Sequence, residues 1–268
     1  MSFTQPWINA YNSLLDLQQD PITGMLRGTY SSTTGGSGTY NVIGWASLQN
    51  ATPAAGQTMA ISILWRSNDG GISDPSHEVS AMAGQVVAIN PQKNLVLMHI
   101  FVETNPDTVP KTGIYPDKLI FTPTAKASSL TKNNLGTTAH KNPRNKDNLS
   151  GIWSGKISGK LMKISIQLAD PRATRLLGEV TYPDGSTYPI AGFTDIYASP
   201  PAYNWQGISF STYIEGPDGR ECIAMAGYLD LTTNVINLTR LSAQSTGADS
   251  TWYQVQIEQL QLEKNRQS

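Results

Sequence analysis

The side chains whose types and spacing point to chemistry are hydrogen-bonding ones near the start of the chain. Trp7-x-Asn9-x-x-x-Ser13 is followed by Gly24-x-Leu26-x-Gly28-Thr29-Tyr30-x-Ser32. Taken singly, Asn9 and Ser13 would only satisfy backbone groups at the rim of a sheet, as short polar side chains commonly do. Their joint spacing with Trp7, Tyr30 and Ser32 points instead to the polar lining of a pocket. The chain carries no Gly-x-Ser-x-Gly elbow, no paired-carboxylate pattern and no phosphate-binding glycine loop ahead of a helix. Gly35-Gly36-Ser37-Gly38 reads as a hairpin loop, because strand-like sequence follows it. His77 and His99 stand apart from any Cys/His cluster of metal spacing, so neither metal nor cofactor is expected. The single cysteine, Cys222, excludes an intramolecular disulfide and reads as a small buried hydrophobe.

Strands are the elements that must position these residues. Ile61, Ile63 and Trp65 alternate with Ser62, Leu64 and Arg66, and the same period of two runs through Leu161–Leu168 and Trp252–Leu260. Turn chemistry separates the runs at Asp20-Pro21, Asn68-Asp69-Gly70-Gly71, Pro183-Asp184-Gly185 and Pro217-Asp218-Gly219. No segment holds a helical period beyond one or two turns; Ser13–Gln18 is the weakest case, with Leu14 and Leu15 adjacent. Many short strands with tight turns predict an all-β sandwich or antiparallel barrel.

The chain repeats itself. Ala81-Met82-Ala83-Gly84 recurs as Ala224-Met225-Ala226-Gly227, and Tyr40–Trp45 is echoed by Tyr188–Phe193. Asp69-Gly70 is matched by Asp218-Gly219, and Asn94–Leu97 by Asn234–Asn237, all in one order. A period this long implies duplicated domains rather than a solenoid. The expected units are 1–123 and 149–268, joined by a polar linker over 124–148 that is too poor in large apolar residues to fold alone.

Lys+Arg of 19 against Asp+Glu of 20 leaves a net charge of -1, which argues against nucleic acid or an anionic membrane as partner. No stretch approaches the roughly 18–20 apolar residues of a membrane span. The start of the chain shows neither a basic n-region nor an apolar h-region, so a cytoplasmic location is expected. Secretion stays open, and the sequons at Asn50, Asn148 and Asn237 would matter only then.

The order and spacing of Trp7, Asn9, Ser13, Gly24–Ser32, Pro53–Gln57, Trp65 and Ala83-Gly84-Gln85 resembles the avidin and streptavidin family of biotin-binding proteins, especially its fungal members. The resemblance covers about residues 5–123 and reaches 149–268 mainly through the internal repeat. It implies two tandem eight-stranded antiparallel up-and-down β-barrels, the first of them holding a ligand in its mouth. A buried cyclic urea needs donors converging on its oxygen and partners for its N–H groups. By resemblance Asn9, Ser13 and Tyr30 supply the donors, Ser32 accepts from a ureido N–H, and Thr34 lies in a closing loop. Trp65 forms the apolar wall, and Ser80 faces the ring sulfur.

The departures from the pattern are specific. Met82 stands where the family keeps a second wall tryptophan, and Met98 or a neighbour where it keeps a third. Leu119 aligns with the acidic partner of the other ureido N–H unless the alignment shifts to Asp117, and Glu78 replaces the serine that meets biotin's carboxylate. In the second half Gly155 and Gly159 replace Asn9 and Ser13, Tyr213 replaces Trp65, and Trp252 resembles the tryptophan that reaches into a neighbour's site. The expectation is therefore a non-catalytic binder of biotin or a related small molecule with altered selectivity. Trp252 would close the first pocket, and the chain would work alone or as a homodimer. Two rivals remain open: an interaction or defence module with no small ligand, and a barrel that holds a reactive substrate in a productive conformation.

Overall fold

The computed structural model describes residues 3, 5–33, 37–66, 77–89, 92–107, 111–125, 147–168, 174–195, 204–217 and 219–265. Two closed eight-stranded antiparallel barrels account for nearly all of them. The first comprises β1 (Trp7–Asn9), β2 (Leu14–Gln19), β3 (Met25–Ser32), β4 (Gly38–Ala46), β5 (Gln57–Leu64), β6 (Glu78–Ile89), β7 (Gln92–Glu103) and β8 (Gly113–Pro123). The second comprises β9 (Gly151–Ile157), β10 (Lys160–Leu168), β11 (Arg175–Thr181), β12 (Thr187–Thr194), β13 (Trp205–Gly216), β14 (Gly219–Asp230), β15 (Val235–Ala243) and β16 (Val255–Lys264). Within each barrel every strand pairs with its sequence neighbours, and β8 closes on β1 as β16 closes on β9. Of the sandwich and the barrel that the strand and turn pattern allows, the chain forms the barrel, in the two tandem eight-stranded copies that the family resemblance implies. Most of the expected linker, 126–146, lies outside the described residues.

Period-two side-chain direction explains each barrel's interior. Along β10, Met162, Ile164, Ile166 and Leu168 are buried while Lys163, Ser165 and Gln167 are exposed. β5 behaves differently, with all of its residues buried. Its inward set, Met59, Ile61 and Ile63, joins the first barrel's core, while Ala60 packs outward against the other barrel. That shared layer also takes Val79, Ala81, Ala83, Ile100 and Val102 from one side, and Ala191, Phe193, Cys222, Ala224, Ala226 and Leu241 from the other.

The repeated tetrapeptide serves both layers at once. Met82 and Met225 point into their own barrels, while the flanking alanines form the contact between barrels. A Cβ at Gly84 would meet the Val96 carbonyl oxygen at 2.0 Å, and one at Gly227 the Asn237 carbonyl oxygen at 1.8 Å. Neighbouring strands thus come too close for any side chain at either position.

Polar bonds fix how the barrels face each other. The Ser62 hydroxyl donates to the Ser209 carbonyl (2.9 Å) and Thr58 Oγ1 to the Arg220 carbonyl (2.6 Å). Arg220, at the start of β14, donates to the carbonyls of Thr23 and Ala46 and lies over the Tyr213 ring at 3.8 Å. Buried His77, just before β6, bonds buried Asp195, just after β12. The end of one barrel that carries the β5–β6 connection therefore lies beside the opposite end of its partner, and the two barrels run antiparallel. Replacing Ala81 by leucine wedges this contact and is expected to cost about 1–3 kcal/mol. A urea midpoint equal to that of the parent would show that the close approach is dispensable.

Candidate functional site

One end of the first barrel gathers most of the hydrogen-bonding residues singled out above. The β1–β2 turn is tight, with Asn12 at a φ of 62°, and it bends the chain over Asn9. Asn9 Oδ1 accepts from the backbone N–H groups of Tyr11 and Ser13, both at 3.0 Å. Two backbone donors on one atom settle which end of the amide is oxygen. Asn9 Nδ2 is thereby turned the other way, and it is buried without a partner in the protein. Ser13 and Tyr30 are buried beside it. Burial raises the Tyr30 phenol above its usual range, against the opposing influence of the neighbouring Ser13 and Asn9 side chains, with the Asp117 charge adding to the rise. Tyr30 consequently remains a protonated donor at neutral pH.

Trp65 lies within an aromatic cluster. Its ring lies 5.5 Å from Tyr30, 4.8 Å from Tyr40 and 5.9 Å from Phe101. Trp65 Nε1 donates to Ser80 Oγ at 2.6 Å, and His99 Nε2 lies 2.8 Å from the same oxygen. Because an indole N–H only donates, Ser80 accepts from Trp65 and is free to donate its own proton to an unprotonated His99 Nε2. Burial pushes His99 down to about 4, opposed by Asp117. His99 is half-buried, and its side of the strand faces into the barrel together with Leu95, Leu97 and Phe101.

Ser32 is buried on the inward side of β3, and Met82 is fully buried in the core. Thr34 lies outside the described residues. Leu119 is buried within the core, while Asp117 pairs across the strands with His99 nearer the rim, on the same inward side. Met98 requires a correction. It points out of the barrel and packs against the layer between the two barrels. His99, a neighbour of Met98 as the sequence reading allowed, and Phe101 face inward here instead, while Phe101 and Tyr40 were not singled out from the sequence. Both faces of β7 are apolar because both are covered, so alternation along this strand did not reveal its inner side.

Trp252 requires a second correction. It sits in a 3-10 helix, Ala248–Tyr253, and is 83% exposed, its ring 4.8 Å from that of Tyr253. The segment is held by Ala248 N–H to the Pro53 carbonyl and Gly56 N–H to the Thr246 carbonyl. Pro53 and Gly56 belong to the β4–β5 connection, at the end of the first barrel opposite Asn9. Trp252 therefore does not close the first pocket.

Register also redraws the second barrel. Trp153 pairs with Ile164 as Trp7 pairs with Leu15, so Gly155 stands in the place of Asn9 and Met162, not Gly159, in that of Ser13. Ile164 opposite Val180 matches Leu15 opposite Tyr30, so Val180 replaces the phenol. Phe210 opposite Met225 matches Ile61 opposite Met82, which puts Ile214 rather than Tyr213 in the place of Trp65. The polar floor of the first barrel is apolar in the second. Among the described residues no group of three His, Cys, Asp or Glu is placed to hold a metal ion.

Residues 1–111 match the family model described as the Avidin family. This range takes in β1 to β7 and stops short of β8. Solved structures match as well. One of them, the crystal structure of Xenavidin, is 16% identical, covers 45% of this chain and 95% of its own, and has a TM-score of 0.36. No curated protein matches the chain. The family-model match falls on the first barrel.

The depressed His99 carries a pH signature. A group that binds its proton less readily when folded destabilises the fold as pH falls from its unfolded value toward its folded one. Stability should therefore decline between about pH 6.5 and pH 4. His99→Gln should flatten that decline in denaturation midpoints measured across the interval, and an unaltered slope would place the titration elsewhere.

Proposed function

We propose that this avidin-like protein binds a small molecule in the mouth of its first barrel, and that the ligand enters with a cyclic urea or similar carbonyl, as biotin would. The observation that carries this reading is Asn9 Nδ2, a buried amide donor without a protein partner, set beside Ser13 and the protonated Tyr30. An unpaired buried donor costs about 1–3 kcal/mol, and a ligand oxygen at this point would recover it. Trp65, Tyr40 and Phe101 offer aromatic surface to the body of such a ligand. The family match over residues 1–111 supports the same reading.

Selectivity should differ from that for a free carboxylic acid. Glu78 and Glu103 face each other across β6 and β7, on the side of the sheet that carries Ser80 and Phe101. Glu103 is fully buried; its Oε1 accepts from the Asn105 N–H at 2.6 Å while Oε2 has no partner. With Asp117 at the rim, this mouth is acidic, and a carboxylate tail would meet like charge. An uncharged or cationic tail suits it better.

Calorimetry with biotin and with biotin amide tests both parts. The amide should bind at least about fivefold more tightly at low ionic strength, with the gap narrowing as salt screens the rim. Asn9→Ala should weaken the amide by about tenfold to a hundredfold, equivalent to the ~1–3 kcal/mol of the lost hydrogen bond. Trp252→Ala should leave the affinity unchanged. Failure of both compounds at millimolar concentration to raise the melting temperature would refute ligand capture of this kind.

A further inference from the structure

The mouth of the second barrel carries polar groups that neither the family match nor the first site accounts for. By register Arg240 stands in the place of His99, Glu258 in that of Asp117, and Glu221 in that of Glu78. Arg240 is only 5% exposed, although it is a full cation inside a barrel. Its Nη2 lies 3.0 Å from Glu221 Oε1 and its Nη1 3.8 Å from Glu258 Oε2. The Ser242 hydroxyl also donates to Glu221 Oε1. Glu258 Oε1 accepts from the Ser158 N–H of the β9–β10 turn, which places this cluster at the rim.

Arg240 Nε, the Tyr182 hydroxyl and Thr212 Oγ1 are buried without a partner, as are Arg175 Nε and Gln254 Oε1 elsewhere in this half of the chain. Tyr182 belongs to the same neighbourhood. Burial pushes its phenol well above the usual range, with the Arg240 guanidinium opposing and the Glu221 charge adding. Thr212 pairs across the strands with Ile223, two residues deeper than the Ile214–Glu221 pair and on the same face of the sheet. Ile157, Tyr188 and Ile214 are partly exposed apolar groups packed on the same core, and Tyr188 lies 6.1 Å from Tyr182.

We propose that the mouth of the second barrel is a binding site of its own, for an uncharged small molecule that leads with a carbonyl oxygen. The three unpartnered atoms at this mouth can all donate a hydrogen bond, and Arg240 Nε can do nothing else. What they lack is an acceptor. A carbonyl oxygen brings two lone pairs without charge. A carboxylate would bring charge into a group that already carries two glutamates against one arginine. Buried donors left unpaired are costly enough that their presence beside an apolar rim calls for a partner. The site is independent of Asn9, because the residues in the places of Asn9, Ser13 and Tyr30 are Gly155, Met162 and Val180.

The test is a titration of the full chain with 2-imidazolidinone, a minimal uncharged cyclic urea, and separately with acetate. The readout is the Arg240 Nε–H nuclear magnetic resonance signal, assigned by its loss in Arg240→Lys. The expected result is a saturable shift with the urea in both the parent and Asn9→Ala, and none with acetate. Tyr182→Phe removes only an unpartnered hydroxyl, so it should fold and weaken binding by about tenfold. Thr212→Val is the second variant, with the same direction expected. Absence of a saturable shift at about 100 mM urea, well within the affinity open to so small a ligand, would overturn the proposal. So would acetate binding as tightly as the urea, or an affinity untouched by both variants.

Discussion

The close apposition of the two barrels governs the rest of the molecule. β5 and β6 of one barrel lie against β13 and β14 of the other, and the residues between them are largely alanine and serine. Small side chains let two curved sheets come together, and the hydrogen bonds of Ser62 and Thr58 to carbonyls across the gap are made only at that range. Burying both faces of these strands removes the alternation that a lone barrel would show. It also uses up the outward surface of β5 to β7 and β13 to β15, so a binding site is left to the ends of the barrels.

The ends have diverged accordingly. In the first barrel the polar groups sit on the floor, where a two-residue contact between Asn9 and the backbone orients an amide toward the interior. In the second the floor is apolar and the polar groups have moved to the rim, as an arginine between two glutamates. Buried polar atoms lose stability unless they are paired, so each end is held at a cost that packing elsewhere must offset. The Trp65, Ser80 and His99 chain is the counterexample within the same barrel, since its hydrogen bonds are satisfied internally.

Much of this was legible from residue types alone. Strands such as β10 declare themselves by alternation, because one face meets core and the other water. Asn9, Ser13 and Tyr30 were also legible, since their spacing puts them on facing strands with one inward side. Met98 was not. Along β7, Val96, Met98 and Ile100 are as apolar as Leu95, Leu97 and Phe101, and a one-residue shift exchanges the two sets. Ile214 against Tyr213 is the same ambiguity on β13, and Met162 against Gly159 follows from where a hairpin turns, with Ser158 and Gly159 both at positive φ.

By itself the sequence determined that the chain would fold as a duplicated set of short strands, and that one copy would carry a polar floor the other lacks. Both follow from local rules: the period of a strand, the chemistry of a turn, and residue types a few positions apart. Only the tertiary structure decided which face of a doubly covered strand is the inner one. It alone set the antiparallel pairing of the barrels, the place of Trp252 far from the first mouth, and the gathering of Tyr182, Glu221, Arg240 and Glu258. Those outcomes depend on side chains tens to more than a hundred positions apart, such as Ser62 with Ser209 or His77 with Asp195. No local pattern specifies such contacts, because they form only once two complete barrels have been built and pressed together.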